Sequence, residues 1–402
     1  MDNRTSQTTQ TWSPLYFLAS LGAGGLTVTF FMFLMFWVPH PGQPVPVFED
    51  IAAALANGAL PLRAAVVLAL LGIAGFAFVN LRLLVWNFMQ LAAFRRTEAY
   101  QKLIRSNAET QLLAMPLALA MSVNAGFIVG LVFVPGLWGV VEYLFPAAML
   151  GFALIALVAL HRTGLFLGRV LGDGGGFDGA GTASFGHLLP AFALAMTAVG
   201  LSAPAGLSTQ PAIVGVSLVL SIMLGTIAAL YALVAAFVAF AAMLRHGVDR
   251  EGAPTVMVIV PLLTVLGIMA MRQQHGLHTV FGAQSGMADT LLLTTTILAV
   301  QLVFLALGLS VLKRQNYAQA FVMGERSSAG AYALICPGVA LSVMLHFWVN
   351  KGLVAAGLLA KFGIGYWALT SVALMAQVAM IALLFYLNRR HLVGGVMRAE
   401  PA

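Results

Sequence analysis

The sequence predicts an all-α integral membrane protein whose ten transmembrane helices form five helical hairpins. Three observations lead to this fold class. The chain of 402 residues is 61% hydrophobic and only 8% charged, so it has too few polar residues to cover a water-soluble surface. It contains ten separate apolar runs, each long enough for a bilayer crossing of roughly 20 residues. Its basic residues are concentrated in alternate loops, as in multi-pass proteins whose basic loops face the cytoplasm.

The ten apolar runs define the predicted spans in order. Each odd-numbered span carries a proline, whereas the second, eighth and tenth spans have none and the fourth contains Pro146. The sixth span opens with Pro211 and is too long for one upright crossing, so we expect it to tilt or to project from the bilayer. The predicted spans are residues 14 to 38, 64 to 88, 112 to 134, 137 to 159, 188 to 206, 211 to 243, 254 to 271, 289 to 312, 329 to 349 and 364 to 388.

The predicted transmembrane domain, residues 14–388, is flanked by an N-terminal tail, residues 1–13, and a C-terminal tail, residues 389–402. The first apolar run is too long for the core of a signal peptide, so we expect no cleavable targeting segment. An even number of spans places both tails on the same side of the membrane.

The basic residues determine the predicted orientation. Fifteen Lys and Arg residues fall on the side of the termini and four on the other, with Arg82 near the end of the second span. The positive-inside rule therefore predicts a multi-pass protein of the inner (plasma) membrane with both termini in the cytoplasm. The four residues on the opposite side are Arg63, Arg272, Lys351 and Lys361.

Proline distinguishes the odd-numbered spans from the others. These prolines are spaced regularly after the first, about every 71 to 76 residues. An interior proline leaves a backbone carbonyl without its donor, which hydrocarbon tolerates only where protein, water or a cavity satisfies that carbonyl. We interpret the five prolines as kinks in helices that line one path, with five unrelated kinks as the alternative. The prolines are Pro14, Pro116, Pro190, Pro261 and Pro337.

The predicted path contains hydroxyl, amide and small side chains instead of charges. No Asp, Glu, Lys or Arg lies in the middle of an odd-numbered span, and an intramembrane carboxylate would be the usual mark of proton or cation coupling. Such a path, with basic residues at its cytoplasmic mouth, favours anions or neutral solutes, although the orientation rule also explains those basic residues. Candidate pore residues are Asn124, Thr197, Thr264 and Gly338, the glycine being equally suited to close helix packing.

The first span begins Pro14-Leu15-Tyr16-Phe17 and continues with Leu21-Gly22, which resembles the opening motif of the tellurite-resistance/dicarboxylate transporter family. That family includes bacterial tellurite-resistance proteins and the slow anion channels of plant guard cells. The resemblance covers residues 14 to 388. It implies ten helices around a quasi-fivefold central pore, with odd helices inside and even helices outside, and a homotrimer in the lipid bilayer that carries a small anion.

One position departs from the family pattern. The residue before the ninth-helix proline in the channels is a phenylalanine that resembles a plug, and here that residue is Cys336. Phe192 and Phe347 are therefore candidate replacements for the plug, although packing or contact with lipid would explain either one. Cys336 is interpreted either as a small apolar residue beside a kink or as a thiol suited to redox gating or to sulfur, selenium or tellurium oxyanion chemistry.

The sequence thus predicts a channel or transporter for small anions, with sulfur, selenium or tellurium oxyanions or organic acids as possible substrates. The alternative is a redox or sulfur-handling membrane component that uses Cys336, with or without a cofactor such as haem. We expect no catalytic residue, metal site, cofactor or nucleic-acid partner. His275, His278 and His346 have no evident acidic or cysteine ligand beside them, Glu142 is expected at the outer interface or paired with a basic residue, and the glycine-rich segment 172–179 lacks a phosphate or calcium signature.

Overall fold

The computed structural model describes residues 12–172, 183–284, 286–324 and 326–393. Within these ranges the chain is helical and contains no strand. Most of the predicted N-terminal tail, the glycine-rich segment after Gly172, and the C-terminal tail beyond residue 393 lie outside the described residues, as do Arg4 and Arg398. The predicted all-α membrane fold class is confirmed at this level.

In the described part of the chain, ten helices are long and apolar enough to cross a membrane, and they coincide with the ten predicted spans. Several extend beyond the predicted ends, because polar residues such as Arg169 and Gln273 continue the helix past the apolar run. Spans 1 to 10 are Pro14–Trp37, Leu60–Phe94, Asn107–Phe133, Leu137–Gly172, Phe185–Leu207, Pro211–His246, Ala253–Phe281, Met287–Arg314, Ala329–Val354 and Ile364–Leu392. Two short helices, Phe48–Asn57 and Glu98–Ile104, lie between spans 1 and 2 and between spans 2 and 3.

Each odd-numbered span begins with a tight 3-10 turn before it becomes α-helical. These turns pack against one another in sequence, and the last packs against the first. They are Pro14–Tyr16, Asn107–Leu113, Phe185–Leu188, Ala253–Met257 and Ala329–Leu334. Among the even-numbered spans of the described chain, only span 4 begins in this way, at Leu137–Val140. A shared local geometry therefore marks the odd-numbered spans.

Serine caps four of the five turns. In each case the hydroxyl accepts a hydrogen bond from the backbone N–H two residues later, at 3.1 to 3.3 Å. This bond satisfies one of the donors that a helix start leaves without an intrahelical partner. The capping serines are Ser13, Ser106, Ser184 and Ser328.

Four of the five prolines lie at the second or third residue of the α-helical part of their span, whereas Pro14 opens the 3-10 turn of span 1. The α-helical parts of spans 7 and 9 begin at Ile259 and Ile335, so Pro261 and Pro337 are the third residues of these parts and do not interrupt a continuous helix. A proline costs little in the first turn, because the N–H that it lacks has no intrahelical acceptor there. In these two spans the irregularity lies before Pro261 and Pro337, in the 3-10 turn, and not at the proline that the sequence analysis interpreted as a kink.

The odd-numbered spans are the more buried set. The buried share of the most apolar stretch is 94, 61, 94, 50 and 67% in spans 1, 3, 5, 7 and 9, respectively. In spans 2, 4, 6, 8 and 10 it is 39, 33, 22, 22 and 22%. Each odd-numbered span contacts the next, span 9 contacts span 1, and each even-numbered span packs against the odd-numbered span before it. The exposed apolar residues of the described chain are therefore concentrated on the even-numbered helices.

Glycine allows close approach between these helices. A Cβ atom added at Gly25 of span 1 would lie 2.7 Å from Cγ1 of Val339 in span 9, and one added at Gly338 would lie 2.5 Å from Cγ of Met380 in span 10. Both distances are too short for a real carbon contact. At Gly338 the structure therefore supports helix packing, the second of the two interpretations that the sequence allowed.

Candidate functional site

Two cavities lie along the buried spans, one after the other. The start-side cavity has a volume of about 1580 Å³ and is surrounded by the 3-10 turns at which the odd-numbered spans begin. The end-side cavity has a volume of about 460 Å³ and is lined by residues further along the same spans. All five odd-numbered spans contribute to each cavity, so these spans begin around one cavity and continue around the other.

Two residues line both cavities, Phe192 of span 5 and Cys336 of span 9. Phe192 is almost fully buried and Cys336 is half-buried. A side chain that borders two adjacent spaces forms part of the wall between them, so these two residues belong to the partition. Both were candidate gate residues on the sequence, and the structure brings them to the same level of the helix assembly.

The end-side cavity has basic but no acidic residues in its wall. Arg272 and His275 of span 7 and Lys351 of span 9 line it, and none of the described lining residues is Asp or Glu. Nη1 of Arg272 donates to the backbone carbonyl of Val199 at 2.7 Å, and within the described ranges neither Arg272 nor Lys351 forms an ion pair. Two basic side chains, Arg272 and Lys351, therefore line this cavity without a carboxylate among its described lining residues.

Arg272 is held in place by a break in span 5. The α-helix Leu189–Leu201 ends there and the short helix Ala203–Leu207 follows, and Pro204 has no N–H with which to continue the backbone ladder. The carbonyl of Val199 accepts hydrogen bonds from both Arg272 and the hydroxyl of Ser202, at 2.7 and 2.8 Å. An irregular helix end thereby fixes the guanidinium beside the cavity.

The positive charge extends past the cavity wall. Partial burial, and then the nearby ammonium of Lys351, lowers the pKa of Lys361 in the loop between spans 9 and 10. Lys361 itself is exposed and does not line the cavity. Lys351 therefore lines the cavity and lies near a second basic residue, so this end of the assembly carries a local positive field.

The start-side cavity has a mixed set of charges. Asp249 and Glu251 line it together with three arginines, Arg326, Arg389 and Arg390. Several of these charges have defined partners. Glu251 accepts a hydrogen bond from Ser328 at 2.7 Å, and Arg390 donates to the carbonyls of Val322, Gly324 and Arg326. The single-sign charge pattern is therefore confined to the end-side cavity.

The predicted polar pore residues have different environments. Asn124 lines the end-side cavity and its amide has only a long contact, 3.8 Å, with the sulfur of Met196. Thr264 also lines that cavity, but its hydroxyl contacts the carbonyls of Val260 and Ala340 and accepts a hydrogen bond from Gln301 at 2.7 Å. Of these two groups, the Asn124 amide is the one left available to a solute.

The other predicted residues are placed as follows. Pro261 and Phe347 line the end-side cavity, and the Phe347 ring packs against Phe36 with centroids 5.4 Å apart. Thr197 is fully buried and donates to the carbonyl of Ala193 at 2.7 Å, within its own helix. The remaining predicted residues, which like Thr197 line neither cavity, are Pro14, Pro116, Pro190, Pro337 and Gly338.

The basic residues of the end-side cavity were not among the predicted site residues. Arg272 and Lys351 were recognised only as two of the four exceptions to the charge asymmetry. Their position on the side opposite the termini could have identified them. The positive-inside rule leaves that side poor in Lys and Arg, so a basic residue there needs another explanation. Sequence spacing alone does not show that both residues face one cavity.

Other sequence features have structural partners. Glu142 accepts hydrogen bonds from the hydroxyl of Ser208 at 2.6 Å and from the N–H of Thr209 at 2.8 Å, so it anchors the loop between spans 5 and 6. His346 is packed among the rings of Phe33, Phe36 and Trp37. The described part of the chain contains no group of three His, Cys, Asp or Glu residues placed to hold a metal ion.

Comparison of the sequence with models of known protein families and with curated proteins finds no match. The evidence for the class of this protein is therefore its architecture. Ten apolar helices, with two cavities between the most buried five, characterise a multi-pass membrane protein whose form is compatible with a transporter or channel.

Proposed function

We propose that this protein is a channel or transporter that moves small anions through a central path between its five odd-numbered spans. The observation that carries the proposal is the end-side cavity, whose wall has the basic side chains of Arg272 and Lys351 and no carboxylate among the described residues. A cleft lined by charges of one sign focuses the field and raises the local concentration of counter-ions. The mobile ion expected in this cavity is therefore an anion.

The proposed path connects the two cavities across the partition of Phe192 and Cys336. The closed sequence of contacts among spans 1, 3, 5, 7 and 9 supports a quasi-fivefold arrangement of five helical hairpins, with the odd helices inside. Neither residue of the partition is charged, so the barrier to an ion would be removed by movement of the aromatic ring or by wetting of the gap. In this proposal Phe192 takes the place of the aromatic plug that position 336 lacks.

The proposed substrates are organic acids and oxyanions of sulfur, selenium or tellurium. The absence of Asp and Glu from the wall of the end-side cavity, among the described residues, favours these over a coupled cation. The proposed setting is the inner (plasma) membrane, with both termini and the start-side cavity on the cytoplasmic side, as the basic loops suggest. Membership of the tellurite-resistance/dicarboxylate transporter family and a homotrimeric assembly belong to the same proposal.

A second candidate function follows from the position of Cys336. Its thiol lies beside both cavities, where a diffusing thiol-reactive molecule would meet it from either side. The protein would then act as a redox or sulfur-handling membrane component, with the path serving for access. A Cys336→Ser variant that keeps full anion flux but loses its response to thiol oxidants would favour redox gating over a purely structural cysteine.

The test is flux through the full-length protein reconstituted in liposomes. Uptake of chloride, nitrate, sulfite and acetate is measured under an imposed potential, with potassium as the cation control. We expect anion uptake above protein-free liposomes and no cation uptake. Phe192→Ala should raise the uptake and Phe192→Trp should lower it, whereas Phe237→Ala should change nothing, because Phe237 of span 6 is 71% exposed and lines neither cavity.

The outcome against the proposal is equally defined. Absence of anion flux across the tested range of voltage, pH and redox conditions would exclude an anion path. Anion flux that responds equally to the substitutions at Phe192 and at Phe237 would exclude the partition as the barrier.

A further inference from the structure

We propose that the end-side cavity binds a monovalent organic anion with an apolar body, such as a medium-chain or aromatic monocarboxylate. The proposal rests on the function proposed above and narrows its substrate class. It follows from three properties of the cavity: where the charges lie, what covers the remaining wall, and how long the cavity is.

The charges lie at one end of the cavity. The wall runs along span 7 from Pro261 to His275 and along span 9 from Cys336 to Lys351, which at 1.5 Å per residue corresponds to about 20 Å in each helix. Arg272, His275 and Lys351 are at the far end of these stretches. The partition end contributes no ionised residue among those described, so the cavity offers strong electrostatic contacts to only one end of a ligand.

The wall between the charged end and the partition is largely apolar. All five odd-numbered spans supply aliphatic, thioether or aromatic side chains there, including Met32, Phe127, Met196, Ile268, Val343 and Phe347. The Thr264 hydroxyl is occupied by protein partners, which leaves the Asn124 amide as a neutral polar contact. This part of the cavity therefore favours an uncharged apolar group.

These features select among anions. A dicarboxylate would place its second charge against the apolar wall, where it would lose hydration without a partner. Chloride or a small oxyanion would use the charged end and leave the apolar wall in contact with water. A monocarboxylate with an apolar body satisfies both parts, because its head meets Arg272 and Lys351 while its body covers the wall. A cavity of about 460 Å³ is within the range of pockets that hold small organic ligands.

Arg272 is placed to provide the directional contact. Its Nη1 is held by the Val199 carbonyl at 2.7 Å, and the guanidinium has further N–H donors suited to a carboxylate. Lys351 adds a second positive charge on a flexible stem. Substitution of Lys351 should therefore weaken ligand binding without removing a side-chain hydrogen bond within the protein. Its effect is easier to interpret than that of substituting Arg272, which also removes the bond to Val199.

The test measures binding by calorimetry to the full-length protein in lipid nanodiscs. The probes are hexanoate and benzoate, with acetate, succinate and chloride as anions that lack the apolar body or carry a second charge, and hexanol as the uncharged control. We expect hexanoate and benzoate to bind at least tenfold more tightly than the other four. Lys351→Gln and Arg272→Gln should each weaken hexanoate binding at least tenfold, whereas Lys361→Gln, on the same side but outside the cavity, should not.

The outcomes separate this proposal from the function on which it rests. Equal affinity for hexanoate, acetate and chloride would overturn the inference while leaving an anion path intact. Hexanoate binding that is unaffected by both Lys351→Gln and Arg272→Gln would also overturn it, provided that size-exclusion profiles show folded variants. Tight hexanoate binding that depends on Lys351 would support the binding site. If the same protein showed no anion flux in liposomes, the proposed transport function would be rejected and the binding site would stand.

Discussion

Reversing the charge of Lys351 should selectively reduce anion flux. Lys351 lines the end-side cavity, where the described wall contains no carboxylate. In the proposed path, every permeating anion passes the ammonium of this residue. Lys351→Glu replaces an attraction by a repulsion of similar size, so its effect on the anion should be about twice that of neutralisation.

The size of the effect can be worked out from Coulomb's law. For an anion that passes within about 8 Å of residue 351 at an effective dielectric constant of about 40, each unit charge contributes about 1 kcal/mol, and reversal changes the energy by about 2 kcal/mol. Ionic screening reduces this, since the Debye length is about 30 Å at 0.01 M salt and about 8 Å at 0.15 M. We therefore expect flux to fall about 15-fold at low salt and about fourfold at physiological salt.

The assay is anion uptake by liposomes that contain equal amounts of folded protein, measured at both salt concentrations. Lys361→Glu is the matched control, because Lys361 is an exposed lysine on the same side that does not line the cavity. The reasoning is refuted if Lys351→Glu leaves uptake unchanged, if Lys361→Glu has an equal effect, or if the deficit does not shrink as salt is raised.

Three further predictions concern stability and access. Thr264→Val removes an acceptor of the buried Gln301 amide and should cost about 1–3 kcal/mol, whereas Thr197→Val, which removes only a bond within one helix, should lower the melting temperature less. Because burial, and then a neighbouring ammonium, lowers the pKa of Lys361, the folded protein should gain stability as pH rises through that lowered pKa; Lys361→Gln should abolish this gain in thermal unfolding at graded pH. A small maleimide should modify Cys336 in the folded protein because the thiol borders both cavities, and mass spectrometry showing modification only after denaturation would contradict that placement.

Composition and spacing were sufficient for the secondary structure and for the distinction between odd and even spans. Ten apolar runs predicted ten helices because a bilayer crossing imposes a minimum length on each run. The regular recurrence of Pro190, Pro261 and Pro337 identified spans 5, 7 and 9 as different from their neighbours. The structure shows that this difference is a 3-10 turn at the start of each of these spans.

Which side chains line a cavity could not be predicted from the sequence in the same way. Thr197 and Thr264 are the same residue type in two odd-numbered spans, yet Thr264 lines the end-side cavity and Thr197 does not. Nearly uniform hydrophobicity around each buried helix removes the periodic signal from which a face is normally inferred. Which face meets a cavity is then set by contacts between distant helices, such as that of Gly25 with Val339.

The sequence by itself determined that this protein has ten runs long and apolar enough to cross a membrane and that proline recurs in its odd-numbered spans. Both properties are local, since they depend on the length of an apolar run and on single residues within it. Only the tertiary structure decided that Phe192 and Cys336 each line both cavities and that Arg272 and Lys351 line the same one. These relations join residues of different spans, and the packing of one helix against another is what brings them together.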